Sequence, residues 1–151
     1  MRIEAVDGAD LPDLLPLMRA YCDFYEVAPA DAALEAMARA LIADPDREGV
    51  QLIARGPGAA ALGFATVFWS WQTLSAGRVG VMNDLFVAAS ARQQGMGKAL
   101  IEQCRARCRE HGAGELVWET ALDNEAAQRL YRAVGASEER WLTFSLPAAD
   151  G

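Results

Sequence analysis

Leu85-Phe86-Val87-Ala88-Ala89-Ser90-Ala91-Arg92-Gln93-Gln94-Gly95-Met96-Gly97-Lys98-Ala99 reads as an apolar strand that runs into a glycine-rich turn and opens a helix. A helix N-terminus exposes unpaired backbone N–H groups and the positive end of the dipole, so this turn is a ready anion site. Glycines let the backbone approach a phosphate closely, and Arg92 and Lys98, the only lysine in the chain, add charge. Two familiar phosphate motifs fail here. A P-loop needs Gly-x-x-x-x-Gly-Lys-Ser/Thr, but Arg92 stands where the first glycine belongs and Ala99 has no hydroxyl for Mg²⁺. A dinucleotide fingerprint needs Gly-x-Gly-x-x-Gly, and Leu100 takes the place of its third glycine. What remains is Arg-x-x-Gly-x-Gly on a strand–loop–helix.

A second segment narrows the ligand. Asn124-Glu125-Ala126-Ala127-Gln128-Arg129-Leu130-Tyr131-Arg132-Ala133-Val134-Gly135 reads as a helix, with Asp123 as expected N-cap and Gly135 as its stop. Ala127, Leu130, Tyr131 and Val134 form one stripe of it. Together the two segments resemble the GNAT N-acetyltransferase superfamily. Its acyl-CoA loop has the form Arg/Gln-x-x-Gly-x-Gly/Ala, and its later helix reads Asn-x-x-Ala-x-x-Leu/Phe-Tyr-x-x-x-Gly. The resemblance is specific over residues 79 to 146 and weak before them.

Composition bounds the remaining possibilities. At 151 residues and 52% hydrophobic, the chain suits one domain with a substantial core, expected to span residues 1–151. No secretory pattern is visible at the N-terminus, and the uncharged run Gly56 to Gly77 is too interrupted for the roughly 20 apolar residues of a membrane span. A cytoplasmic protein with no membrane partner is expected. Three cysteines cannot all pair. Cys104, Cys108 and His111 on one helix, with no fourth ligand, make poor zinc geometry, so the expectation is no metal, two buried thiols and a fraying histidine. Residues 1 to 48 hold eleven acidic and four basic side chains and so carry the whole net charge of −7. That balance disfavours nucleic acid and favours a cationic ligand near the first helices.

Periodicity places the elements. Ile3 to Val6 alternates as a strand. Asp10 is expected to cap a helix that turns Leu14, Leu17, Met18, Tyr21 and Phe24 to the core, with Pro16 kinking it or delaying its start. A second helix starts near Asp31; strands follow at Val50–Arg55, Ala60–Thr73 and Val79–Val87. A helix over about Gly97 to His111 precedes a strand at Glu115–Ala121, the tyrosine helix and a last strand at Glu138–Leu146. This is an α/β (α+β) order: a mixed, mostly antiparallel central sheet flanked by helices, as the GNAT acyl-CoA N-acyltransferase fold also implies. In that fold the strand ending at Val87 splays from the one ending near Ala121, and the pantetheine arm lies between them.

The resemblance implies acetyl-CoA as co-substrate and direct transfer of acetyl to a primary amine. It implies that Leu85, Phe86 and Val87 hold the pantetheine and polarise the thioester. The loop Arg92, Gln93, Gln94, Gly95, Met96, Gly97, Lys98 and Ala99 would hold the pyrophosphate, and Asn124 would contact the acyl-CoA arm. Tyr131 matches the general acid for the departing thiolate. Relatives similar to diamine acetyltransferases carry Glu-Asp before the strand end where this chain has Asn83-Asp84, so the base would be Asp84 or Glu119. The acceptor pocket in this fold is built by the first two helices and the hairpin before the acyl-CoA strand. Here those regions offer Tyr21, Phe24, Tyr25, Glu26, Trp71 and Gln72, with Asp23 and Trp69 beside them. Aromatics and carboxylates together suit an alkylammonium group. A small amine, polyamine-like or amino-acid-derived, is expected. The alternatives are a protein N-terminus or lysine, or a non-catalytic acyl-CoA-binding regulatory module. The superfamily also often pairs through its later strands, where Trp141, Leu142 and Phe144 would supply a homodimer's apolar contact.

Overall fold

The computed structural model describes residues 1–149, which fall into two compact units that divide after Glu119. The first is built of β1 (Arg2–Ala5), α1 (Leu11–Phe24), α2 (Asp31–Ala43), β2 (Gly49–Arg55), β3 (Ala61–Gln72), β4 (Gly77–Val87), α3 (Met96–His111) and β5 (Leu116–Val117). The strands lie in sequence order, β1 to β4 antiparallel and β5 joining β4 in parallel. This is the mixed, mostly antiparallel sheet expected from the sequence. α1 and α2 bury Leu11, Leu14, Leu17, Met18, Leu34 and Ala38 with Ile53 and Phe64. α3 turns Leu100, Ile101, Cys104 and Cys108 inward.

Two glycines set how closely α3 approaches the sheet. A Cβ on Gly63 would meet the Phe86 carbonyl oxygen at 2.8 Å and Leu100 at 3.3 Å; one on Gly80 would meet Cys108 Sγ at 2.4 Å. No larger residue fits either place without moving the helix.

α1 departs from expectation at Pro16. It starts at Leu11, ahead of Pro16, and runs through it. Pro16 forfeits one hydrogen bond, at roughly 3 kcal/mol. Five buried side chains, Leu11, Leu14, Leu17, Met18 and Cys22, outweigh it at roughly 1.5–3 kcal/mol per large apolar group. The capping box lies earlier than expected. Asp7 accepts from the Ala9 amide at 2.8 Å, and Asp10 turns back to the Asp7 amide at 3.0 Å instead of capping α1. Asp10 also pairs with Arg55 at 2.7 Å, and Arg55 reaches Asp13 at 2.7 Å, fastening α1 to the end of β2.

His111 does not fray. Its ring stacks on Trp69 with centroids 3.9 Å apart, and its Nε2 lies 2.7 Å from the Asp46 carbonyl. Trp69 Nε1 donates to the neighbouring Pro45 carbonyl at 2.8 Å. The two rings thus tie the α2–β2 loop to β3 and α3.

In the second unit, α4 (Glu125–Ala133) is capped by Asn124, not Asp123, because it is Asn124 Oδ1 that reaches the Ala127 amide, at 3.2 Å. Ala127, Leu130, Tyr131 and Val134 are half-buried as one stripe. The strand expected at Glu138–Leu146 does not form among the described residues. A strand exists only where a neighbour takes its ladder bonds, and this segment has no ladder partner among the described residues; at its start Glu138 lies 2.8 Å from Arg132. Among the described residues no helix is long and apolar enough to cross a membrane.

Candidate active site

The β4 strand has two different edges. Along β3 it is paired from Gly77 to Val87, whereas β5 pairs with it only at Gly80 and Val81. The strand expected over Glu115–Ala121 is therefore two residues long. The cause lies at Asn83. The β3–β4 register passes from Val67↔Met82 to Thr66↔Asp84, so Asn83 is an extra residue, a bulge. Bulges increase twist and end pairing. From Met82 to Val87 the edge towards β5 has no ladder partner among the described residues, which is the splay the resemblance implied.

The bulge also decides where Asp84 points. Strand residues alternate faces, so a regular β4 would put Asp84 on the α3 face with Gly80 and Met82. The inserted residue turns it to the α1 face, opposite Thr66, with Phe86 opposite Phe64. There Asp84 is 7% exposed. Burial pushes its carboxyl above the ordinary carboxylate value, and hydrogen bonds from Thr66, Tyr21 and Asn83 partly offset this. Asn83 Nδ2 donates at 3.0 Å. The Tyr21 hydroxyl, 3.4 Å from the Asn83 carbonyl, is itself pushed up by burial and by the Asp84 charge.

Tyr21 leads outward from this carboxyl. Its ring packs edge-on against Phe64, Phe86 and Tyr25, and Tyr25 against Phe24, with centroids 5.0–6.3 Å apart. Phe24, expected in the core, is 58% exposed, and Tyr25 is 52% exposed. Phe24 is the last residue of α1, where the helix has run past the core that buries Leu14, Leu17, Met18 and Cys22. The next turn carries Glu26, at φ +56°. Arg19 anchors this α1–α2 connection by donating to the Pro29 carbonyl and to Asp31. Buried carboxyl, tyrosine bridge, exposed aromatics and acidic turn thus form one continuous feature.

Trp71 and Gln72 stand apart from it. They lie five and six residues along β3 from Thr66, about 17–20 Å at the usual strand rise. Trp71 receives the Arg78 guanidinium 4.8 Å from its ring centroid, and Gln72 accepts from Ser75 at 3.0 Å. Glu119 is exposed, two residues past the end of β5.

The glycine-rich loop ends as an uncapped helix start. Gly95 occupies the N-cap at φ +83°, a conformation only glycine adopts freely, and no side chain caps α3. The first α3 amide bond runs from Ala99 to Gly95 at 3.0 Å. The amides of Met96, Gly97 and Lys98 therefore face outward without intrahelical acceptors. Met96 buries its side chain, so only its backbone is on offer, and Ala99 has its amide engaged. Arg92 Nε holds the Val87 carbonyl at 3.0 Å, locking the loop to the strand end, and Gln94 Nε2 holds Ser90 at 3.1 Å. Arg92, Gln93, Gln94 and Lys98 are exposed around this amide cluster, while Leu85, Phe86 and Val87 are half-buried. Such a start suits a phosphate anion, at about 0.3–1 kcal/mol for the dipole alone. Asn124 and Tyr131 belong to the second unit.

Cys104 and Cys108 are poor nucleophiles. Burial pushes their thiols up to about 12 and about 11.

Known proteins carry the same pattern. Residues 14–136 match the acetyltransferase (GNAT) family. The chain is 30% identical to Uncharacterized N-acetyltransferase YhfO of Bacillus subtilis (strain 168), covering 92% of this chain and 91% of that one. It is 33% identical over 94 residues to aminoglycoside N(6')-acetyltransferase type 1 of Klebsiella aerogenes, 61% of this chain and 62% of the relative. The crystal structure of a probable acetyltransferase superposes with a TM-score of 0.86 at 28% identity, each chain covered in full. The chain belongs to the GNAT acetyltransferase family, whose members use acetyl-CoA, and is an N-acetyltransferase.

Proposed function

We propose that the protein moves an acetyl group from acetyl-CoA directly to a primary amine of a small polycationic molecule. The observation that carries this reading is the aromatic and acidic path from Phe24, Tyr25 and Glu26 through Tyr21 to the buried Asp84. It offers cation–π faces to an alkylammonium group, each worth about 0.5–2 kcal/mol, and a carboxylate at its inner end. The net charge of −7 within residues 1 to 48 draws cations to the same region. The Klebsiella aerogenes relative is named for an aminoglycoside, a polycationic amine of the same chemistry.

The residues divide the work as follows. The amides of Gly95, Met96, Gly97 and Lys98, with the Arg92 and Lys98 charges, hold the pyrophosphate of the donor. The open edge of β4 at Leu85, Phe86 and Val87 takes the pantetheine by strand-like hydrogen bonds, and Asn124 adds a contact to it. Asp84 takes a proton from the acceptor ammonium and so frees the nitrogen lone pair for attack; a carboxyl held above its usual value is suited to that exchange. The nitrogen attacks the thioester carbon, the C–N bond forms as the C–S bond breaks, Tyr131 protonates the departing thiolate, and the proton that the nitrogen sheds on acylation restores the Tyr131 hydroxyl. Glu119 is exposed and lies two residues past the end of β5, outside the buried row that holds Asp84.

The test is thiol release from acetyl-CoA with four acceptors: an aminoglycoside, a polyamine, an amino acid and a peptide with a free N-terminus. The polycationic small molecules are expected to be acetylated. A preference for the peptide, or no turnover with either polycation, overturns the substrate class.

A further inference from the structure

The α1 face of the sheet carries one polar row among apolar ones. Gln51 of β2 lies opposite Thr66 of β3, and Thr66 lies opposite Asp84 of β4. The next row on that face is Ile53, Phe64 and Phe86, and the row on the reverse face is Leu52, Ala65 and Leu85. Pairing alone therefore does not call for polar groups. All three are buried, Gln51 at 3%, Thr66 at 0% and Asp84 at 7% exposure. The row exists only because the Asn83 bulge turns Asp84 onto this face.

The hydrogen bonds in the row have a fixed direction. Gln51 Nε2 donates to Thr66 Oγ1 at 3.2 Å, so the hydroxyl oxygen is an acceptor there. Its single proton is left for Asp84, the residue paired with it across β3 and β4, whose ionised form Thr66 favours. Gln51 Nε2 also lies 3.8 Å from Met18 Sδ of α1, and Gln51 Oε1 is buried with no partner among the described residues. The Gln51 carbonyl thus stays unpaired while its amide nitrogen stays on Thr66.

We propose that Thr66 and Gln51 are positioning residues for acetyl transfer, a two-step donor relay that aims the Asp84 carboxylate at the acceptor amine. The proposal rests on Asp84 being the base, as proposed above. The other groups that act on the carboxylate are Asn83 of β4 and Tyr21 of α1, with Tyr25 behind Tyr21. The expected signature is therefore specific: deleting one donor to the ionised form favours the neutral form.

The test follows the Asp84 carboxyl-carbon NMR signal through a pH titration, assigned by its loss in Asp84→Asn. Wild type is compared with Thr66→Val, Thr66→Ser and Gln51→Leu. In parallel, the acid limb of kcat/KM is measured with an amine accepted in the panel above. Thr66→Val is expected to move both midpoints up by about one pH unit, Gln51→Leu to move them less in the same direction, and Thr66→Ser to restore them. If Thr66→Val does not fold, Gln51→Leu decides. An unmoved carboxyl midpoint overturns the relay while leaving Asp84 as base, provided Asp84→Asn loses about 100-fold or more in turnover. A carboxyl midpoint that moves while the kinetic limb stays overturns Asp84 as base.

Discussion

Asp84 sits where catalysis and stability oppose each other. Burial holds its carboxyl above the ordinary value, so the folded protein binds that proton more tightly than the unfolded chain. The stability tied to it is whole below the unfolded value, 3.8, and is lost as pH rises through the higher folded value. Asp84→Asn removes the ionisation. The variant is expected to melt above wild type at neutral pH, by about 2–4 °C per kcal/mol gained, with the gap closing in acid, as thermal melts at several pH values would record. A constant gap across pH would contradict a buried ionisable Asp84. Tyr131 makes a complementary case. Tyr131→Phe keeps the ring on the half-buried stripe of α4 and removes only the hydroxyl. Turnover is expected to fall by about 100-fold or more with the KM for acetyl-CoA within about twofold; unchanged turnover would remove Tyr131 from the chemistry.

Elements carry the next level. Gly63 lets α3 lie against β3 beside the Phe86 carbonyl, so Gly63→Ala pushes on the strand end and on the helix start together. The variant is expected to lose about 1–3 kcal/mol in denaturant unfolding and to weaken acetyl-CoA binding, since both halves of the donor site move. Weakened stability with unchanged binding would separate the glycine from the site. This scale also explains what the sequence revealed. The loop from Arg92 to Lys98 and the helix after it were legible because an apolar strand, glycines and a helix start are local signals. The face on which Asp84 lies was not, since it depends on a bulge at Asn83 that only the β3–β4 pairing defines. Likewise His111 pairs with a carbonyl 65 residues away. Trp141, Leu142 and Phe144 carry a strand pattern, but pattern alone supplies no ladder partner; all three are more than four-fifths exposed.

For the molecule as a whole, the sheet places two chemistries on neighbouring strands and helices of one unit. The strand end and the uncapped start of α3 present amides and cations to an anionic donor. The α1 face presents aromatics and carboxylates, the chemistry that the proposed cationic acceptor would meet. The bulge at Asn83 serves both, opening the β4 edge and turning Asp84 to α1. The most direct measurement is a backbone amide NMR titration with acetyl-CoA. Saturable shifts centred on Phe86, Val87 and Gln94 to Lys98 are the expected result, with several-fold weaker binding in Lys98→Ala at low salt and a smaller loss at high salt. No saturable shifts, or shifts centred elsewhere, would contradict the account.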